Sequence, residues 1–190
     1  MTEKRLEKIK GVIARRQPDL TIVMENIHDP HNVSAILRSA DAVGVLEVQL
    51  VYDKTEFPKL GKKSSASAIK WMVRRNFKSV RSCFDKLHEE GFTVYATHLG
   101  KKSGSLYEID LTAKIALVFG NEHSGVSAEA RRLADHNFMI PMSGMIQSLN
   151  VSVACAVSLY EAYRQRMESG TLSRISGEKM ASLLAEWTRR

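Results

Sequence analysis

Short apolar runs alternate with segments of helical period along most of this 190-residue chain, and that alternation constrains its fold more than any other feature. Thr21-Ile22-Val23-Met24, Val48–Tyr52, Phe92–Thr97 and Ile115–Phe119 each have the length and apolar character of one buried strand. Between them, Asn32–Val43 places Ala35, Ile36, Ser39, Ala40 and Val43 on one helical side, and Ser79–Glu90 does the same with Val80, Cys83, Phe84 and Leu87. Met72–Arg75 is a further candidate strand, Ala128–Ala134 a helix, and Phe138–Ile140 a short strand. Two helices follow, at Asn150–Glu168 and Ser176–Trp187. Residues 3–16 form another at the front, with Leu6, Ile9, Val12 and Ile13 at helical spacing, closed by Gln17-Pro18-Asp19. Strands alternating with helices predict an α/β architecture built on a parallel sheet. Hydrophobic residues make up 44% of the chain, enough for a sizeable core.

Sheets of this kind bind ligands beyond the carboxyl ends of their strands. Thr97-His98-Leu99-Gly100, Gly120-Asn121-Glu122 and Ile140-Pro141-Met142 all lie at or just after expected strand ends, which groups them into one site. The turn after the first strand is Glu25-Asn26-Ile27-His28-Asp29-Pro30. It has neither the G-x-G-x-x-G of a dinucleotide fold nor a P-loop. The segment Ile140–Ala154 is unusual: Ser143, Gln147, Ser148 and Asn150 stand where a core helix takes apolar residues. Each can donate and accept hydrogen bonds, and Gly144 permits close backbone approach. It has the character of a pocket wall that also starts a helix. Asn32–Gly44, which carries Asn32 and Arg38, and Leu117–Val126, which carries Glu122, share that polar, glycine-flanked character.

Together these three segments resemble, in order, the three signature motifs of the SpoU (TrmH) family of RNA ribose 2′-O-methyltransferases, over roughly residues 20–165. The resemblance implies a parallel-sheet methyltransferase fold whose C-terminal part forms a deep trefoil knot, holding S-adenosyl-L-methionine in a bent form between knot loops. It assigns catalysis to Arg38, Asn32, Glu122, Ser148 and Asn150. Around the cofactor it places Thr97, Gly100, Gly120, Ile140, Met142 and Leu149, mostly through backbone atoms. Physical chemistry qualifies one role: a guanidinium stays protonated in proteins, so Arg38 is better suited to bind phosphate bidentately and stabilise a developing alkoxide than to remove a proton. Local structure offers alternatives for the others. Asn32 and Asn150 each stand where a helix N-cap is expected, and Glu122 precedes a helix start, where negative charge is favourable.

The net charge of +7 fits a polyanionic partner. Residues 59–78 hold seven basic residues and no acidic one, among them Lys62, Lys63, Lys70 and Arg74, interleaved with serines and Trp71. Such a stretch supplies phosphate contacts and one stacking surface. Arg15 and Arg16 near the front, and Arg164 and Arg166 near the end, extend the expected RNA-binding set. Helical extensions at both ends resemble the tRNA branch of the family, whose members modify guanosine 18 in the D-loop. The expected division is a basic helical extension at 1–19, a methyltransferase domain at 20–166 and a second helical extension at 167–190. The apolar surplus on Asn150–Glu168 exceeds one buried face, and the family implies a homodimer there. Cys83 and Cys155 lie far apart, and neither they nor His28 and His31 complete a metal-ligand pattern, so no metal is expected. The front of the chain is charged and no apolar run is long enough for a bilayer, so a cytoplasmic protein without membrane attachment is expected. The expected activity is 2′-O-methylation of a tRNA ribose. The alternatives are another tRNA position or ribosomal RNA as substrate, or a non-catalytic RNA-binding role on the same fold.

Overall fold

In the computed structural model, which describes residues 1–60, 68–173 and 175–190, the apolar runs become the strands of one sheet. In chain order the elements are α1 (Glu3–Ala14), β1 (Leu20–Glu25), α2 (Pro30–Ala42), β2 (Glu47–Val51), β3 (Val73–Phe77), α3 (Val80–Glu89), β4 (Thr93–Thr97), β5 (Gly104–Ser105), β6 (Ile115–Phe119), α4 (Ala128–Leu133), β7 (His136–Met139), α5 (Val151–Ser169) and α6 (Gly177–Trp187). A 3₁₀ turn at Ile69–Trp71 leads into β3. The seven strands lie in the order β3-β2-β1-β6-β4-β7-β5, and every pairing is parallel. The sheet reverses its winding beside β1: β2 and β3 extend to one side, and β6 lies on the other, with β4 beyond it.

The period-2 alternation sorts side chains onto two cores. Leu20, Ile22 and Met24 of β1, with Ile115, Leu117 and Phe119 of β6, pack with α2 and α5. Val23, Ala116 and Val118 face the other way, against Val80, Cys83, Phe84 and Leu87 of α3 and Ala130 of α4. Both cysteines are buried free thiols, and burial pushes Cys83 up to about 12, so neither is a nucleophile at neutral pH. The two-residue β5 was not expected, because a pair of residues shows no period. Strand β7 begins at His136, ahead of the expected Phe138.

The two terminal helices pack on each other. Ile9 and Ile13 of α1 meet Leu183 and Trp187 of α6, with Leu46 and Ile175. Arg16 lies beneath this cluster at 1% exposure. Its guanidinium sits 5.3 Å from the Trp187 ring, donates to the carbonyls of Val45 (2.9 Å) and Trp71 (3.1 Å), and pairs with Asp41. Arg166 is fully buried and donates to Asp19 (2.7 Å), Gln17 (3.2 Å) and the Leu111 carbonyl (2.9 Å). These two arginines were expected to contact RNA, and the structure corrects that reading. Apart from Arg16 Nε, which has no partner among the described residues, their side-chain donors are spent inside the protein, satisfying buried carbonyls and carboxylates. Helix α5 runs unbroken past residue 166, where a domain boundary was expected.

Candidate active site

Strand β1 ends in a forced turn. Asn26 has φ of +50°, the one non-glycine residue with positive φ among the described residues, in the left-handed region that Asn tolerates better than most. Its side chain is tied to Asp53 and to the Lys54 N–H, and its carbonyl accepts from Asn121 Nδ2 at 2.9 Å. The turn delivers Asp29 to the N-cap of α2, where its carboxylate accepts from the His31 N–H at 2.8 Å and Pro30 takes the first helical position. Asn32 is therefore not the cap. Its side chain, buried at 7% exposure, is released for another task.

That task is a directed hydrogen-bond relay through all three polar segments. Glu122, just beyond β6, accepts from Asn32 Nδ2 at 3.0 Å and from the Asp29 N–H at 3.1 Å. Asn32, its amide nitrogen thus committed, turns Oδ1 to accept from Asn150 Nδ2 at 3.1 Å. Asn150 Oδ1 in turn caps α5 by accepting from the Ser152 N–H at 2.8 Å. An ionised carboxylate only accepts, so it fixes the polarity of both amides. Burial alone pushes the Glu122 carboxyl up; the hydrogen bonds from Asn32 and from the backbone of Glu122, Asp29 and His28 outweigh it and hold the group below the usual carboxylate range.

The relay stands beside a cavity of about 580 Å³ at the carboxyl ends of β4, β6 and β7. Its wall includes Thr97, Gly120, Glu122, Ile140, Met142, Ser148, Leu149 and Asn150. Gly120 is indispensable to that wall: a Cβ there would lie 2.2 Å from the carbonyl of Gly125 and the nitrogen of Val126. The segment 140–149 is irregular, and among the described residues none of its backbone groups bonds to another backbone group. Most of the segment is exposed, so its backbone groups are open to water or to a ligand in the cavity. The Thr97 hydroxyl is engaged with the Val118 carbonyl at 3.0 Å, so its side chain supports the wall rather than offering a donor. His98, near Arg131, is held below its ordinary pKa by burial and by that cation, and both line the same cavity.

Three expected site residues lie off the wall: Asn32, which reaches it only through Glu122 and Asn150, Gly100 and Arg38. Gly100 follows the wall residues His98 and Leu99, and Arg38 is exposed on α2, two turns beyond Asn32. Of the expected RNA contacts, Arg15, Lys70 and Arg74 are exposed, and Lys62 and Lys63 lie outside the described residues. Arg164 is exposed but pairs with Glu161 (2.7 Å) and Glu168 (2.5 Å). Sequence reasoning missed Glu25, a buried carboxylate that accepts from the Ser127 N–H at 2.9 Å and so anchors the start of α4 beneath the Glu122 loop. Its one signal was a charged residue directly after the apolar run of β1.

Residues 19–160 match the SpoU rRNA Methylase family. The chain belongs to that family. Among its relatives, a tRNA (guanosine(18)-2′-O)-methyltransferase of Thermus thermophilus is 48% identical over 191 aligned positions, covering 100% of this chain and 98% of that protein. The A. aeolicus TrmH/SpoU tRNA modifying enzyme superposes with a TM-score of 0.92 at 39% identity, over 98% of this chain and 96% of that one. The SpoU methyltransferase AviRb from Streptomyces viridochromogenes, solved in complex with the cofactor AdoMet, gives a TM-score of 0.72 at 26% identity, over 82% of this chain and 64% of its own. The SpoU family match takes in all seven strands and the relay, and ends within α5. Helices α1 and α6 lie outside it.

Proposed function

We propose that this protein is an S-adenosyl-L-methionine-dependent tRNA 2′-O-methyltransferase acting on guanosine 18 of the D-loop. The observation that carries the reading is the relay Glu122–Asn32–Asn150 beside a cavity walled by otherwise unspent backbone. Likeness to guanosine-18 methyltransferases along the whole chain, α1 and α6 included, selects the tRNA substrate. The cavity's volume lies in the range of small-ligand sites. The residues fit the cofactor: backbone of 140–149 serves its adenine, and Thr97, Gly120, Ile140, Met142 and Leu149 enclose it, with Gly100 at the edge. When bound, the cofactor supplies a methyl group on a sulfonium centre.

The protein's own part is to hold a ribose hydroxyl in line with that methyl and manage the charge that develops on oxygen. Arg38, exposed and permanently cationic, binds an RNA phosphate bidentately and stabilises the alkoxide. Ser148 and Asn150 shape the ribose side of the pocket. Glu122, held ionised, keeps the amides of Asn32 and Asn150 in one orientation. Arg15, Lys62, Lys63, Lys70, Arg74 and Arg164 hold the tRNA phosphates.

Three coarser features complete the reading. The chain forms a trefoil knot: β6 inserts between β1 and β4, β7 lies beyond β4, and residues 140–150 bring the chain back to α5, which packs on α2. Residues 20–166 form the catalytic unit, with 1–19 and 167–190 as clasped extensions. The active form is a homodimer in the cytoplasm. Val153, Tyr160 and Met167 recur every seventh residue along α5 and are all exposed, as are Met145 and Ile146 before it. This is apolar surface that a second copy would cover. No helix among the described residues is long and apolar enough to cross a membrane. The deciding experiment supplies methyl-labelled S-adenosylmethionine and unmodified tRNA transcripts, then maps the label. Label on the guanosine 18 ribose is expected; label on another nucleotide reassigns the substrate, and none on any RNA rejects the activity.

A further inference from the structure

We propose that Asn26 is a positioning residue for methyl transfer: its side chain pins the turn after β1 to the loop after β2, and its carbonyl carries that anchor to the Glu122 loop after β6. This rests on the methyltransferase reading above. The three strands are neighbours in the sheet, in the order β2-β1-β6, so the loops that follow them stand side by side. Asn26 Nδ2 donates to Asp53 Oδ1 at 2.6 Å, and Asn26 Oδ1 accepts from the Lys54 N–H at 3.1 Å. Its backbone N–H donates to the Val51 carbonyl at 2.9 Å. Beside it, the Tyr52 hydroxyl donates to the Ile27 carbonyl at 2.8 Å. Two consecutive residues of the turn are thus fixed to residues 51–54.

On its other side the turn is clasped by Asn121. One N–H of Asn121 Nδ2 goes to the Asn26 carbonyl at 2.9 Å, and the second meets His28 Nδ1 at 3.1 Å. Asn121 Oδ1 accepts from the His123 N–H at 2.9 Å, so the same amide shapes the loop that carries Glu122. The turn then presents the Asp29 N–H to Glu122 Oε1, the oxygen that also takes Asn32. Asn26 itself is buried and off the cavity wall, so it acts through the backbone it holds. Without its side chain, the turn keeps its backbone bonds to Val51 and Asn121 but loses both ties to residues 53 and 54. The Asp29 N–H and the start of α2 are then less closely fixed against Glu122.

Glycine takes a φ of +50° freely, so Asn26→Gly keeps the turn and removes only the side-chain ties. It is expected to lower kcat about tenfold, because small misplacements of reacting groups are costly. Affinity for S-adenosylhomocysteine by calorimetry, and for tRNA by fluorescence anisotropy, should stay within about threefold, since the loss falls on the transition state. Asn26→Asp sets a second carboxylate against Asp53 and should be at least as slow. Adding Asp53→Asn reverses donor and acceptor across the pair and is expected to bring the rate back to within about threefold of the unaltered protein. A glycine variant with unaltered kcat, a reversed pair as slow as Asn26→Asp alone, or a loss of cofactor affinity equal to the loss of rate overturns the proposal. Amide exchange read by NMR gives a second measure: the Lys54 and Asp29 N–H groups should both exchange faster in Asn26→Gly, and an unchanged Asp29 also overturns it. If the unaltered protein methylates no RNA, the enzymatic reading fails, and exchange at Asp29 still decides whether Asn26 fixes the donor to Glu122.

Discussion

Asn150 carries two duties on one side chain, and they are separable. Its Oδ1 caps α5 while its Nδ2 donates to Asn32. Asn150→Asp keeps a good cap, so thermal stability should change by less than about 1 kcal/mol. It removes the donor and sets a carboxylate against Asn32 Oδ1, so methyl transfer should fall at least tenfold, read by steady-state kinetics beside a melting curve. Arg38→Ala is expected to abolish transfer while calorimetry still detects S-adenosylhomocysteine binding, because Arg38 is not on the cavity wall. Glu122 ties pH to stability. Its carboxyl is held below the usual range in the folded state, so its stabilising contribution is complete above the ordinary carboxylate pKa and disappears as pH falls through the depressed one. Melting temperatures measured from neutral into acid should therefore drop less steeply in Glu122→Gln than in the unaltered protein.

At the scale of elements, Trp187 is the largest side chain that α6 packs into its contact with α1. Trp187 is 1% exposed, lies 5.3 Å from Trp71 ring to ring, and covers the buried Arg16. Trp187→Ala leaves a cavity against α1 and uncovers a cation, and should cost about 3–5 kcal/mol. Trp71 is then the remaining tryptophan, so a lower denaturant midpoint with red-shifted emission would report its loss of cover. Most elements were legible from the chain because each has its own period: Ile115–Phe119 as a strand and Ser79–Glu90 as a helix appear almost as read. Helix α2 began earlier than expected because Asp29 and Pro30, rather than Asn32, supply its start signals.

Across the whole molecule, the exposed stripe Val153, Tyr160 and Met167 runs along a helix whose other side packs on α2 and β6. A second copy covering that stripe predicts a light-scattering mass near twice the 21.3 kDa of one chain. Tyr160→Asp should shift it towards one, since a buried unpaired charge is costly; a single-chain mass for the unaltered protein at working concentration would remove the homodimer from the reading.

The sequence by itself determined the α/β architecture, the grouping of strand-end loops into one site and the family. Strand and helix periods, and short motifs, are local properties that survive in a linear chain. Only the tertiary structure decided what each polar side chain does. Arg16 and Arg15 are neighbours of the same type, yet one is spent on buried carbonyls and the other faces solvent. Asn32, Glu122 and Asn150 meet across separations of 90 and 118 residues. The partner that fixes a hydrogen bond's direction is chosen by the packed sheet, and no spacing along the chain records it.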